Sequence, residues 1–143
     1  MTRAFPTIIV TLLGATAVLA HSGVQNPVVL ARMQTMEKIA EATKALGGMA
    51  KGQTPFDAGA ARAALAQIEQ HAAIIPQQFR TDADDPKSEA SDTIWTNWDD
   101  FVKTSEELVT IAATAEVGDL DQLRASLGKI GANCKSCHAD FRE

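Results

Sequence analysis

The clearest helical signal in this 143-residue chain is the stretch 120–141, LDQLRASLGKIGANCKSCHADF. Apolar and cysteine side chains recur in it at alternating intervals of three and four residues, the spacing of one face of an α-helix. The members of this stripe are Leu120, Leu123, Leu127, Ile130, Cys134, Cys137 and Phe141. The pattern predicts a long amphipathic helix that buries this face, with both cysteines on it.

The same stretch contains Cys-Lys-Ser-Cys-His at 134–138, and its two cysteines are the only ones in the chain. C-x-x-C-H is the pattern of covalent haem attachment. On a helix, residues three and four apart share a face. Cys134 and Cys137 can therefore reach the two vinyl groups on one haem edge, while His138 reaches the iron. The motif predicts one covalent haem c with His138 as an axial iron ligand.

Other interpretations of the two cysteines have less support. A disulfide between residues three apart can form in an oxidising compartment. A thioredoxin-like redox pair has the same spacing, but it accompanies a βαβ pattern that this sequence lacks. A zinc site built on Cys134, Cys137 and His138 would lack a fourth protein ligand close by in the sequence.

Two helices are predicted in the first half of the sequence. The first begins at Asn26-Pro27, where Asn can cap and Pro suits the first turn, and it ends in the segment 52–55. Its predicted inward side chains are Val29, Met33, Met36, Ala40 and Thr43. The second begins at Asp57, and Pro76 should kink or end it. Its predicted inward side chains are Ala61, Leu65, Ile68, Ala72, Ile75 and Phe79.

The polar segment 81–92 follows and is predicted as an exposed loop. A third helix is predicted over 93–116, and Asp119 is predicted to cap the fourth. The predicted inward side chains of the third helix are Ile94, Trp98, Phe101, Leu108 and Ala112. Four amphipathic helices joined by short loops predict an all-α fold, an antiparallel four-helix bundle.

The charge and the first twenty residues bear on partners and location. The formal net charge of −5 argues against a nucleic acid or an anionic membrane as the partner. Arg3 and the apolar run after it, ending at Ala20, predict a signal peptide over 1–20. The mature domain would then be 21–143, exported to a periplasm and not membrane-bound. A retained N-terminal anchor is the alternative.

The spacing leaves a second axial ligand open. The haem motif lies near the end of the sequence, so we expect this ligand from upstream. Met33 and Met36 lie on the inward stripe of the first helix, but methionine also fills core gaps, so packing alone is an equal explanation. Met49 near the helix end and His71, one position off the second stripe, are weaker candidates.

The sequence resembles the class II c-type cytochromes, the cytochrome c′ family, over essentially the whole mature region. The resemblance rests on four groups of residues: Ala31-Arg32 with Met36; Met49-Ala50-Lys51-Gly52 with Pro55-Phe56-Asp57; Ile94-Trp95; and Gly131, Cys134-Lys135, Cys137-His138 and Phe141-Arg142. It implies an up-down-up-down bundle with the haem near one end, in a periplasmic bacterial protein.

The family has two branches, and Met36 lies at the position that separates them. In the low-spin branch a methionine of the first helix is the sixth iron ligand and the protein carries electrons. In the high-spin branch a residue at this position blocks a five-coordinate iron that binds NO or CO. The sequence Arg32-Met33, where high-spin members often have Arg-Gln, and the segment 95–99 favour the low-spin branch with Met36 as a ligand.

The resemblance also implies roles for two arginines. Arg32 matches an arginine that lies near a haem propionate, with an ordinary surface charge as the alternative. Arg142 matches a basic residue that shields the proximal haem face, although the helix dipole alone favours a cation there. Trp95, Trp98 and Phe101 are predicted to pack in the core or against the haem.

The resulting prediction is a periplasmic mono-haem cytochrome that carries single electrons between other redox proteins and is not an enzyme. The alternative is a five-coordinate protein that binds NO or CO. Peroxide turnover has little support, because the sequence offers no distal His or Arg pair. The chain is expected as a monomer or a homodimer, since family members often pair through their first two helices.

Overall fold

The computed structural model describes residues 23–143, so the predicted signal peptide at 1–20 lies outside the described residues. Four long helices and two short ones occur within this range. They are α1 (Pro27–Ala50), α2 (Ala58–Ala73), α3 (Ile75–Gln78), α4 (Thr93–Thr96), α5 (Trp98–Ala113) and α6 (Leu120–Phe141). No helix in 23–143 is long and apolar enough to cross a membrane.

Side-chain caps begin three of the long helices, as predicted. The Asn26 side chain accepts a hydrogen bond from the Val28 amide at 2.9 Å. The carboxylates of Asp57 and Asp119 cap α2 and α6 in the same way. These bonds satisfy amides that have no partner within the helix. Gly52, with φ of 70°, follows the end of α1 in the left-handed conformation that commonly ends a helix.

The four long helices close into a bundle in which each one packs against two others. Helix α1 contacts α2 and α6, and α5 contacts the same two helices. The short loops 51–57 and 114–119 make α1–α2 and α5–α6 antiparallel neighbours. The predicted fold class is confirmed. The α1–α6 contact is the least extensive of the four, and it leaves space between these two helices.

The predicted core faces of α2, α5 and α6 are confirmed. All six predicted residues of the second stripe are buried, although Pro76 ends α2 early and the last two lie on or just after the short α3. In α5, Phe101, Leu108 and Ala112 are buried. Every member of the α6 stripe is buried or half-buried. The apolar periodicity therefore located the core correctly on three of the four long helices.

On α1 the predicted face was wrong by about one residue. The fully buried side chains are Val29, Arg32, Thr35, Ile39, Ala42, Leu46 and Met49. Met33, Met36 and Thr43 are only half-buried, and Ala40 is exposed. Two of the buried positions hold polar side chains, so hydrophobicity alone did not identify the packed face. The predicted stripe instead lines open space between α1 and α6.

The prediction of one continuous third helix over 93–116 was wrong. Asn97 adopts a non-helical conformation that separates α4 from α5, and α5 ends at Ala113. Helix α4 is held by contacts to other parts of the chain. The Thr93 hydroxyl donates to the Asp140 carbonyl at 2.7 Å, and the Trp95 indole N–H donates to the Phe79 carbonyl at 2.8 Å. These long-range bonds compete with a straight helix.

The segment 81–92 is mostly exposed, as predicted, but Asp85 within it is buried. One carboxylate oxygen accepts the amides of Gln25 and Asn26 at 2.8 and 3.0 Å, and the other accepts the amide of Lys87 at 2.9 Å. The segment is thereby tied to the start of α1. These backbone hydrogen bonds hold the pKa of Asp85 below its usual value of 3.8.

We expect Asp85→Asn to lower the thermal midpoint at neutral pH, because the amide offers a weaker acceptor to three backbone N–H groups. The pKa of Asp85 is lowered by folding, so its carboxylate stabilises the fold above the unfolded pKa. This contribution disappears as the pH falls through the lower folded pKa. Thermal melts of both proteins from pH 7 to pH 3 should therefore converge in acid. The exposed Glu106→Gln serves as the control, and an unchanged midpoint at pH 7 for Asp85→Asn would contradict the expectation.

Candidate functional site

Two adjoining cavities lie between α1 and α6. The larger, of about 660 Å³, is lined mainly by α1, α5 and α6. The smaller, of about 400 Å³, lies between the first half of α1, the segment 88–90 and the last turns of α6. Both are of the size of small-molecule and cofactor pockets. The residues that line both cavities are Met36, Ala40, Phe101, Cys137 and His138.

The haem-attachment motif forms the α6 wall of these cavities. Cys134 and Cys137 are half-buried free thiols, and both line the larger cavity. His138 follows on the same helix and lines both cavities. The structure thus brings the three residues of the motif to one wall, as the helical spacing predicted.

The ionisation of the two thiols differs from that of a redox pair, and the ionisation of His138 suits a metal ligand. Burial raises the pKa of Cys134. Burial, with Cys134 and Asp140 nearby, raises that of Cys137 to about 11. Catalytic redox cysteines usually have lowered pKa values, so these thiols do not resemble a thioredoxin-like pair. Burial and then the Arg142 cation lower the pKa of His138, against a weaker opposite effect of Glu89. A lowered pKa favours the neutral imidazole, which is the form that binds a metal.

A zinc site has no suitable ligand set in the part of the chain that the structure describes. Within 23–143, no group of three or more His, Cys, Asp or Glu side chains is placed to hold a metal ion. Structural zinc takes four protein ligands, and catalytic zinc takes three. The two cysteines and His138 therefore need a different explanation.

Of the four upstream ligand candidates, Met36 is the best placed. It is half-buried and lines both cavities together with His138. Met33 lines only the smaller cavity. Met49 is buried in the core, and His71 on α2 lines neither cavity. Ligation by Met36 stays a prediction, but the structure separates this residue from its competitors.

Arg32 is buried, so its interpretation as a surface charge was wrong. Its guanidinium donates to the backbone carbonyls of Gln78, Thr81 and Ala83. Burial lowers its pKa, against the weaker opposite effect of Asp82. The guanidinium also lies over two aromatic rings, 4.5 Å from the centroid of Phe79 and 5.4 Å from that of Trp95. Arg32 lines the smaller cavity, and its pairing with a haem propionate stays a prediction.

Arg142 forms part of a clasp at the end of α6. Its Nε donates to a Glu89 carboxylate oxygen at 2.7 Å, and its Nη2 pairs with the same oxygen. The Glu143 amide donates to the Glu89 carbonyl at 3.0 Å, and the Ser91 amide to the Phe141 carbonyl at 3.1 Å. The clasp gives the smaller cavity one wall. The role of Glu89 could not be predicted from neighbouring residues, because its partner Arg142 lies 53 residues away in the sequence.

Aromatic side chains form the wall behind both cavities. The ring of Phe101 lies 5.1 Å from that of Phe79, 5.8 Å from Trp98 and 5.3 Å from Phe141, as centroid distances. Phe101 itself lines both cavities. Such pairs add to the stabilisation that burial gives. The predicted packing role of Trp95, Trp98 and Phe101 is confirmed.

Two buried polar residues on the larger cavity were not predicted from the sequence pattern. The Asn133 amide nitrogen donates to the Thr104 carbonyl at 3.2 Å. The Ser105 hydroxyl donates to the Val102 carbonyl at 2.7 Å. Both donors are satisfied by backbone, which makes their burial tolerable. The only available signal for Asn133 was its place directly before Cys134.

The residues present fit a haem. The cavity walls are mostly apolar, and the α1 wall is built largely from small or flexible side chains at Met36, Ala40, Thr43 and Gly47. A Cβ placed on Gly47 would meet no atom within 4 Å, so α1 leaves open space there. A flat, apolar macrocycle between α1 and α6 would find two thiols and a neutral imidazole on the α6 side.

Comparison with known proteins agrees with this arrangement. Residues 27–142 match the family described as Cytochrome C′. Cytochrome c-556 from Agrobacterium tumefaciens strain apple 185 is 39% identical over 116 residues, 78% of this chain and 91% of the relative.

Solved structures of similar proteins have the same fold. Cytochrome c′ from Rhodopseudomonas palustris has a TM-score of 0.78 and 31% identity, and the match covers 83% of this chain and 98% of that one. A nitric oxide complex of a mutant cytochrome c prime from Alcaligenes xylosoxidans has a TM-score of 0.70 and 28% identity, with 81% and 94% covered.

We expect Arg32→Ala to lower the free energy of unfolding by about 2–4 kcal/mol, because three backbone carbonyls lose their charged hydrogen-bond donor. Urea unfolding followed by circular dichroism would measure the change. Arg62→Ala on the exposed face of α2 is the matched control and should change the value by less than about 0.5 kcal/mol. An equal effect of the two variants would contradict the structural role of Arg32.

Proposed function

The chain belongs to the cytochrome c′ family, and from this we propose that it carries single electrons between redox proteins, with iron ligated by His138 and Met36. Proteins of this family hold one covalent haem c, and the chain has two cysteines near its C-terminus to attach it. When bound, the haem supplies a single iron that takes up and releases one electron.

In this proposal α6 holds and orients the haem. Cys134 and Cys137, one helical turn apart on the cavity wall, would form the thioether bonds. His138 presents a neutral imidazole from the same wall. Arg142 lies four residues after His138, one helical turn on, and its hydrogen bond to Glu89 anchors the end of α6.

The observation that carries the proposal is the shared position of Met36 and His138, which line the same two cavities from different helices. A thioether from α1 and an imidazole from α6 are the ligand pair that raises the reduction potential of c-type cytochromes. The apolar walls around them favour the iron state of lower charge, since a low-dielectric environment disfavours charge. The relatives named cytochrome c-556 also support this branch.

A second function, binding of NO or CO, is supported by a different observation. Met36 packs against the hydrophobic core, so it has a packing role even without ligating iron. A mutant of the Alcaligenes xylosoxidans protein, which has the same fold, was solved as a nitric oxide complex. In this case Met36 would stand beside an open iron position, and the chain would be a gas-binding protein.

We further propose that the chain is exported and works in a periplasm after loss of 1–20. The charged start and the apolar run of this segment support export. The relatives reported above are named as cytochromes, which favours a carrier over an enzyme.

The first test is the optical spectrum of the purified holo protein, reduced with dithionite, with and without CO. Sharp α and β bands unaffected by CO are expected if Met36 ligates. Met36→Ala should then give a high-spin iron that binds CO, because no second thioether is equally placed. Met33→Ala is the control and should keep the wild-type spectrum. A CO-sensitive wild-type protein would instead support gas binding.

A second test concerns haem attachment. We expect Cys134→Ala combined with Cys137→Ala to abolish haem that survives denaturation, since no other cysteine is present in the chain. Haem staining of denaturing gels measures this directly. Each single variant should keep one thioether bond and part of the stain. Full retention of stain by the double variant would refute attachment at these residues.

A further inference from the structure

The opening of the larger cavity carries a charge opposite to that of the chain as a whole. The sequence has 18 acidic and 13 basic residues. Apart from His138, the ionisable side chains that line this cavity are Lys44, Lys51 and the two cysteines, and no carboxylate lines it. Both lysines are exposed, so the cavity reaches solvent beside them. We call Lys44 and Lys51 the lysine rim.

The smaller cavity differs in this respect. Its lining includes the cations Arg32 and Arg142 and the carboxylates Glu37 and Glu89, so positive and negative charges are balanced there. A positive rim is therefore a property of one opening and not of the whole site.

The two ammonium groups of the rim are unpaired within the described part of the chain. Neither Lys44 nor Lys51 makes a side-chain hydrogen bond or ion pair with another residue of 23–143. By contrast, Lys38 on the same helix pairs with Glu41 at 2.9 Å. Arg124, whose Nε donates to the carbonyl of Ala50 next to Lys51, is paired with Asp121. The positive charge of the rim is thus available to a partner.

We infer that the lysine rim is the docking surface for a redox partner with an acidic surface, and that electrons leave and enter the protein through the opening of the larger cavity. This inference rests on the proposed electron-transfer function. The rim borders the cavity that contains both cysteines and His138, so a partner bound there comes close to the haem site. Charge complementarity is the reason to choose an acidic protein as the partner.

The effect of salt on the rate of reaction with an anionic reagent distinguishes a local positive rim from the negative net charge of the chain. Charges interact over about 10 Å at 0.1 M salt, so an ion that reacts at the rim responds mainly to the nearby lysines. A chain of net negative charge should repel an anionic reagent, and added salt should then speed the reaction. A positive rim should attract it, and added salt should slow the reaction.

The experiment uses ferricyanide, a trianion, as the oxidant of the reduced holo protein in a stopped-flow instrument. One electron passes from the ferrous haem to ferricyanide, which leaves ferric haem and ferrocyanide. We expect the rate to fall as salt is added. Lys44→Glu combined with Lys51→Glu should lower the rate about tenfold at low salt and reverse its salt dependence. The cationic oxidant tris(phenanthroline)cobalt(III) should show the opposite trends.

The matched control is Arg62→Glu combined with Lys103→Glu, which makes the same change in net charge. Both residues are exposed and line neither cavity. The inference is overturned if this control changes the rate as much as the rim variant does. It is also overturned if the wild-type rate rises with salt, or if the rim variant shifts the haem potential but keeps the salt dependence. That last result would indicate that the lysines form ion pairs with the haem propionates and do not bind a partner.

The optical spectrum distinguishes failure of this inference from failure of the proposed function. A CO-sensitive, high-spin spectrum would count against electron transfer by a His/Met-ligated iron. The oxidation by ferricyanide would still occur in such a protein, and its salt dependence would still report the charge at the opening.

Discussion

The structure depends on keeping α1 and α6 apart while the bundle around them closes. The other three pairs of neighbouring long helices pack more extensively, and the space between α1 and α6 holds both cavities. Helix α1 packs in the core with one face and borders the cavities with another. Ile39, Ala42 and Leu46 are buried in the core, while Met36 and Gly47 border the cavity. An apolar space of this size costs packing energy unless something fills it, so the fold and its ligand belong together.

The walls of the site are fixed by the non-helical segment between α3 and α4 as much as by the helices. Arg32 donates to the carbonyls of Thr81 and Ala83 at its beginning and to that of Gln78 at the end of α3. Asp85 ties its middle to the start of α1. Glu89 ties its end to Arg142 at the end of α6. A loop of this length would ordinarily be mobile and loosely attached. Here it joins the two helices that the cavity separates, and so it sets their distance without filling the space between them.

How much could be predicted from the sequence depended on whether each signal was local. The α2, α5 and α6 faces followed from apolar periodicity, and the three caps followed from Asn and Asp at helix starts. The α1 face did not, because Arg32 and Thr35 are polar but lie on its packed side. The break at Asn97 and the partner of Glu89 depend on residues far away in the chain. In the site, the C-x-x-C-H pattern and helical spacing placed the motif residues on the cavity wall. Spacing left Met33 and Met36 as alternatives, and only the family resemblance favoured Met36, whereas Asn133 and Ser105 were missed.

One stripe of α1 connects the chemistry of the site to its surface. Met36, Ala40, Lys44, Gly47 and Lys51 follow one another at intervals of three or four residues, and all of them line the larger cavity. The candidate iron ligand and the lysine rim therefore lie along the same helical face. A thioether within an apolar wall affects the energy of the iron, and two unpaired cations at the opening affect what approaches it. Because both belong to one rigid helix, the position of α1 relative to α6 determines ligation and access together.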